Sequence, residues 1–478
     1  MITTEKRSHA LRSSTLGIIF FAVAVLLHAP GFTSTVFNSD EAFLATEAQV
    51  LEAGGDLYHD VVDRKPPLVP LLYESVFDAT GSSALWSVRV AAVVSLALTA
   101  LLLAAEARRR WGGRTDLWAG LLFLASSAAL PPPDAQAANF EIFMLPTMVA
   151  AMLLGARLRP GSSGVLIALS TLTKQTAAAT LVPLALLAWR ADRGRGIARL
   201  MLGFVAPIMI AALWFGPRDF LFWNYLAAGD YLDVSGVLGF TLGLGVTRTL
   251  VFVVTNAAIV ALVASRARRW REDADLWLWI LSAAVGVAAG LRFFEHYYLQ
   301  LIPALCLLAA RPLDELSPRL ADLSLATVAA TTLWFNGSAV TFAAAQNDER
   351  LDRVSTWVAR RTLPHERILV WGHWPELYWR ADRRPATRFV TTGFLTGHSG
   401  GRPPDRVGLK YATTGAWAAF EDDLEAHPPV LVVDVSPADL RNARHYPPSR
   451  FPRFGERLAR DYVLVTRIEG VDIYAPRP

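Results

Sequence analysis

Cysteine is all but missing. Cys306 is the only one in 478 residues and lies inside an apolar run, which excludes a disulfide framework and a cysteine-rich metal site. Lysine is nearly as rare: among 46 basic side chains only Lys6, Lys65, Lys174 and Lys410 are lysines. Lys65 and Lys174 therefore stand out against an arginine-rich background. Charge as a whole is scarce, at 18% of residues against 53% hydrophobic, with a mean hydropathy of +0.33. A single soluble domain needs more polar surface than that, so the composition points to a membrane protein. Internal repeats and low-complexity segments are also missing, which removes support for a repeat-built transporter.

What the chain does have is a series of apolar runs. Crossing a hydrocarbon core of about 30 Å takes roughly 20 residues, fewer where flanking residues reach the interface. The runs predict about eleven membrane segments, at 15–31, 84–105, 116–132, 140–157, 164–174, 176–189, 199–216, 242–264, 275–291, 296–310 and 320–340. Lys6, Arg7 and Arg12 precede the first run, but no small-residue cleavage signal follows it, so it reads as an uncleaved helix.

The net charge of +4 and the pI near 9.3 come largely from arginines in short loops, at 108–114, 157–159, 190–199 and 266–271. That is a topology signal and not a nucleic-acid footprint. All four clusters fall on one side if the N-terminus is cytoplasmic and if 164–189 forms a hairpin with its apex at Lys174 and Gln175. One long span there would put the 266–271 arginines on the opposite side.

An odd number of spans leaves the C-terminal part outside the cytoplasmic membrane. The expected division is 1–342 as the membrane domain and 343–478 as a small soluble α/β domain. The β-like runs at 368–371, 430–435 and 462–466 support that fold class.

Ionisable residues gather at the ends of the apolar runs that this topology places outside. The first outer loop, 32–83, is far longer than a connector needs. It carries Asp40 and Glu41 just after the first run, then Asp63-Arg64-Lys65-Pro66-Pro67. The next outer loop brings Asp134, Asn139 and Glu141 to the mouth of the fourth segment; Lys174 sits at the hairpin apex, and Arg292, Glu295 and His296 lie between the ninth and tenth segments. An ionisable group inside a bilayer costs about 2.5–3.5 kcal/mol on insertion scales, so each such group needs a partner or a task.

As a set, these residues are acids beside cations. Acids can deprotonate an attacking hydroxyl or ligate a hard cation, and cations can stabilise a departing phosphate. Together they imply transfer from a phosphate-activated donor on a lipid carrier.

Plainer roles compete with each assignment. Ser39 or Asp40 could cap the helix that follows. His296 could belong to an interfacial aromatic belt with Tyr297 and Tyr298. Arg89 reads as snorkelling or paired with a carboxylate. Trp371, His373, Trp374 and Trp379 could form a sugar-stacking face, but core packing is the simpler reading. Asp60 and Asp63 read as solvated loop charges, and Asp134 as a support for its neighbours.

Five stretches carry a family resemblance: Ser39-Asp40-Glu41, the Asp63–Pro67 motif, Asn139-Phe140-Glu141-Ile142-Phe143, Leu172-Thr173-Lys174-Gln175-Thr176 and Phe294-Glu295-His296-Tyr297-Tyr298. In this order and sidedness the chain resembles bacterial GT-C glycosyltransferases, in the branch of the protein O-mannosyltransferases and the lipid A aminoarabinose transferase. The resemblance implies inverting transfer of a sugar from a polyprenyl-phosphate donor to a lipid, glycan or protein acceptor at the outer face of the cytoplasmic membrane. It places the acceptor-side base at Asp40, with Glu41 adjacent, and the donor phosphate at Lys65 and, more loosely, Lys174, Arg292 and His296. Glu141 and Asn139 fall to the sugar, and a divalent cation held through Asp40 and Glu141 stays open. The rival from another class is a transporter or flippase of a lipid-linked substrate, which binds without chemistry.

Overall fold

The computed structural model describes residues 13–227, 233–345 and 349–478. Lys6, Arg7 and Arg12 lie outside the described residues. The described chain divides into two compact units, one drawn from 1–37, 89–210 and 245–344, the other from 38–88, 211–244 and 345–478.

The first unit is helical. All eleven expected apolar segments fall on helical backbone. Among the described residues, four stretches, Ser13–Thr33, Leu85–Trp111, Gln175–Trp214 and Leu238–Thr255, are long and apolar enough to cross a membrane; Phe140–Ala156 and Ala274–Ala289 are shorter apolar helices.

Small residues let these helices approach closely. A Cβ on Gly164 would lie 2.2 Å from the Leu200 carbonyl oxygen, and one on Gly203 would lie 2.2 Å from that of Gly161. The crossing of helix Pro160–Thr173 over the later part of Leu181–Trp214 therefore depends on glycine. The latter helix is broken at Asp192 and Arg193, whose backbone angles are not helical.

Loop arginines tie helix ends together. Arg108 pairs with Asp116 through Nε at 2.8 Å, Arg110 joins Glu106 and Asp275, and Arg266 holds Asp273. Arg108, Arg109 and Arg110 also occupy the last turn of Leu85–Trp111, where cations suit the helix dipole. Arg89 departs from expectation: it is buried and donates to the backbone carbonyls of Ser34 at 2.6 Å and Thr35 at 3.2 Å. It satisfies carbonyls where the chain leaves the first helix.

The second unit is built on a five-stranded sheet. The strands are β1 (Arg367–Trp371), β2 (Arg384–Pro385), β3 (Leu431–Asp434), β4 (Tyr462–Ile468) and β5 (Val471–Pro476), in the order β2-β1-β3-β5-β4. β1 runs parallel to β2 and β3, and β5 runs antiparallel to β3 and β4. β3 reads Leu-Val-Val-Asp and is buried throughout, as parallel strands covered on both faces are. β4 and β5 meet at Glu469 (φ 51°) and Gly470 (φ 81°), the two left-handed positions that a tight hairpin turn demands.

Residues 38–88 fold within this unit. Helix Ser39–Glu52 packs against Leu68–Thr80 and against Glu376–Ala381. The Val62 amide donates to the Arg388 carbonyl at 3.1 Å. The tryptophans follow the core reading: Trp371 is fully buried with its ring stacked on Phe454 at 4.4 Å, Trp374 is buried, and Trp379 donates to the Ser83 carbonyl at 2.8 Å.

Candidate functional site

In the helical unit, four of the candidate polar residues meet. Glu141 is the second residue of helix Phe140–Ala156 and is 1% exposed. Lys174 is where helix Pro160–Thr173 stops: its backbone is extended (φ −153°, ψ 129°) before a 3-10 turn, Gln175–Thr180. That break turns the side chain inward to an ion pair with Glu141, while the Lys174 Nζ also sits 3.7 Å from the centre of the Tyr297 ring.

His296 approaches the same carboxylate, its Nε2 3.8 Å from Glu141 Oε1, and its Nδ1 pairs with Asp134. The His296 amide donates to Asp134 Oδ1 at 3.2 Å, so Asp134 holds both the ring and its backbone. His296 is buried, with its ring stacked on Phe294 at 5.5 Å. Lys174 and His296 thus converge on one buried carboxylate, with a second carboxylate behind the histidine.

Asn139 takes the N-cap position of the same helix without capping it, and neither amide atom has a hydrogen-bond partner among the described residues. Arg292 is 1% exposed and lies between Leu291 (φ 49°) and Phe293 (φ 53°), two non-glycine residues held in the left-handed region. Such backbone costs about 1–3 kcal/mol per residue and persists where the surroundings impose it. Arg248, which the sequence reading passed over, donates to the Arg292 carbonyl at 3.3 Å and pairs with Glu295 at 3.1 Å.

The second unit holds the other candidates. Asp40 and Glu41 open helix Ser39–Glu52, and the cap is Asn38, whose side chain accepts the Asp40 amide at 3.1 Å, in place of Ser39 or Asp40. The Asp40 side chain is thereby released from capping and lies 4.0 Å from Lys65 Nζ; the two are 33% and 29% exposed, reachable by a substrate. Glu41 is fully buried.

The Asp63–Pro67 motif is pinned by its neighbours. Tyr58, itself left-handed at φ 72°, donates its hydroxyl to the Lys65 carbonyl at 2.9 Å, and Arg64 stacks on Phe394 at 3.9 Å and donates to Thr413 at 2.9 Å. Asp63 is buried, with Oδ2 lacking a partner among the described residues, so its reading as a solvated charge is corrected. Asp60 is partly exposed and accepts from the Asp56 amide at 2.8 Å.

Sequence reasoning missed Glu47. It is fully buried, and neither carboxyl oxygen has a partner among the described residues. Burial first, and the charge of Asp63 second, hold its carboxyl well above the 4.5 of a free glutamate, against a partial offset from Lys65. Asp63 is itself raised, by burial, against the pull of Lys65. The signal was available: Glu47 is seven residues after Asp40, two turns on, which puts both on one helix face. Lys65 thus stands among three carboxyl groups. For metal binding, no group of three or more His, Cys, Asp or Glu suited to an ion occurs among the described residues.

Comparison with known proteins gives the fold. The model of glycosyltransferase family 87 matches residues 68–292. Comparison with curated proteins gives no match. Among solved structures, ArnT from Cupriavidus metallidurans bound to undecaprenyl phosphate superposes with a TM-score of 0.63 at 16% identity, over 96% of this chain and 97% of that one. The archaeal oligosaccharyltransferase AglB from Archaeoglobus fulgidus, in complex with an inhibitory peptide and a dolichol-phosphate, gives 0.55 at 12% identity, over 97% of this chain and 74% of that one. The chain therefore has the fold of these membrane glycosyltransferases, the GT-C fold that its motifs led one to expect.

Proposed function

We propose that the chain is an integral membrane glycosyltransferase that moves a sugar from a polyprenyl-phosphate donor onto a lipid, glycan or protein acceptor, with inversion, at the outer face of the cytoplasmic membrane. In this reading about eleven segments cross the bilayer, the N-terminus is cytoplasmic, and 1–342 and 343–478 are the membrane and outer parts. The observation that carries it is the buried network of Asp134, Glu141, Lys174 and His296 at the ends of apolar helices. Burying four ionisable groups there is expensive even when they pair, and such a cluster is a candidate functional site. The family 87 match and the superposition on a protein bound to undecaprenyl phosphate point the same way.

Each residue then has a task. Asp40 accepts the proton of the acceptor hydroxyl as its oxygen attacks the anomeric carbon; the new glycosidic bond forms while the bond from that carbon to the phosphate oxygen breaks, and polyprenyl phosphate leaves. A single displacement inverts the anomeric centre. Lys65 pairs with Asp40 and meets phosphate charge, as a lysine point charge does well. Lys174, His296 and Arg292 stabilise the leaving phosphate, and Asn139 and Glu141 hold sugar hydroxyls. Glu41 supports Asp40 from within the same helix turn. The donor set offers too few ligands for a divalent ion among the described residues, so no step uses one.

A transporter or flippase would instead place its ionisable groups near the midplane and bind without turnover. The test separates binding from chemistry. Asp40→Asn should bind the donor with wild-type affinity and lose transfer by about 100-fold or more, the scale of general-base catalysis. Lys65→Ala should weaken donor binding first. Full transfer by Asp40→Asn would remove the assignment of the base.

A further inference from the structure

The carboxyl ends of parallel strands β1 and β3 open onto a group of polar side chains that the transfer chemistry above does not use. Ligands of open α/β sheets commonly bind at such ends. After β1 come Gly372 (φ 144°) and His373; after β3 the chain passes through Asp439 (φ 51°), Arg441 (φ 51°) and Asn442 (φ 64°) to Tyr446. Three non-glycine residues in the left-handed region within four positions is costly backbone, of the kind kept where it positions function.

The His373 and His398 rings are 6.2 Å apart, and His398 lies 4.6 Å from the Tyr446 ring. Arg441 donates to the His373 carbonyl at 2.7 Å and is neutralised by its ion pair with Glu376. Tyr446 is fully buried and anchored by Trp371 Nε1, which donates to its carbonyl at 2.9 Å. Thr392, also buried, donates its amide to the Gly372 carbonyl at 3.1 Å. Neither the Tyr446 hydroxyl nor the Thr392 hydroxyl has a hydrogen-bond partner among the described residues. An unpaired buried hydroxyl costs roughly 1–3 kcal/mol, so each of the two asks for a partner.

The charge balance says what kind of ligand. Burial, with the Arg441 guanidinium beside them, pushes His373 down to about 3 and His398 to about 4, so both rings are neutral at physiological pH. Neutral imidazoles and hydroxyls each donate and accept. With Arg441 already matched by Glu376, the group has no spare cation for an anion. His373 also lies within electrostatic reach of Asp40 and Lys65, and Arg441 within reach of Asp40, all in the same unit.

We infer that this group of side chains, His373, Thr392, His398, Arg441 and Tyr446, forms the acceptor subsite and that it takes the hydroxyl face of an uncharged sugar. The inference rests on the transferase reading, with Asp40 as base on the acceptor side. A sugar could come from either substrate, so the experiment must tell acceptor from donor.

Full-length protein in lipid nanodiscs is examined by saturation-transfer difference NMR against methyl α-mannoside, methyl β-galactoside and methyl β-arabinofuranoside. At least one should receive saturation, keep it when undecaprenyl phosphate is added, and bind at least tenfold more weakly to the Thr392→Val/Tyr446→Phe variant. Because the two hydroxyls have no partners to lose, that variant should melt at or above the wild-type temperature. Three results would each overturn the inference: no glycoside binds, the signal is displaced by undecaprenyl phosphate, or binding is undiminished in a folded double variant. Release of polyprenyl phosphate from a glycosylated donor is measured on the same preparation. Glycoside binding without any such release would sink the transferase reading while leaving this group as a sugar site.

Discussion

At the scale of single residues, rarity was the readable signal. Two of only four lysines, Lys65 and Lys174, proved to be ion-paired with acids at the ends of helices. Glu47 and the burial of Asp63 were not legible in the same way, because a carboxylate on an amphipathic helix or in a loop looks solvated until its neighbours are known. Their burial makes a pH prediction. Glu47 has a folded-state pKa above its unfolded 4.5, so its favourable contribution is complete below that value and is lost as pH rises through the folded value. Glu47→Gln should therefore raise the melting temperature at pH 8 and flatten its decline between pH 5 and 8; an unchanged profile would show that this carboxyl is not held neutral. Lys174→Ala leaves Glu141 with a buried charge facing fewer cations, and should destabilise by about 3–5 kcal/mol, read as a fall in melting temperature, with partial rescue by Lys174→Ala/Glu141→Gln.

At the scale of elements, apolar runs located the helices well because hydrophobic length is a property of the local sequence. The expected break between 164–174 and 176–189 occurs at Lys174, where the backbone turns extended. Helix contacts were harder to foresee, since a glycine in an apolar run says nothing of which helix it faces. Gly164 is such a case: its missing Cβ would meet the Leu200 carbonyl oxygen at 2.2 Å, backbone that cannot rotate away. Gly164→Ala should destabilise by about 1–3 kcal/mol by overpacking, whereas Gly194→Ala, with open space around it, should be neutral or slightly stabilising. Equal melting temperatures for the two variants would contradict this helix crossing. The sheet was legible in β1, β3 and β4 from their apolar content; β2, a two-residue strand, and the order of strands were not, since pairing joins residues far apart in sequence.

At the scale of the whole molecule, the proposed orientation rests on the arginine-rich loops, and the motif order supplied the fold class. The assignment of 38–88 to the same compact unit as the C-terminal sheet was invisible to composition, because the loop follows the first helix in sequence and joins the sheet only through contacts such as that of Val62 with Arg388. Orientation is tested by Glu425→Cys in a Cys306→Ala background: an impermeant thiol reagent should label intact cells, and labelling only after lysis would reverse the topology. The most direct measurement of the central proposal is turnover itself. Purified protein given a polyprenyl-phosphate sugar and an acceptor should release polyprenyl phosphate and form a glycoside of inverted configuration, with both lost together in Asp40→Asn. A protein that binds the donor, carries it across vesicles and never releases the phosphate would contradict the proposal.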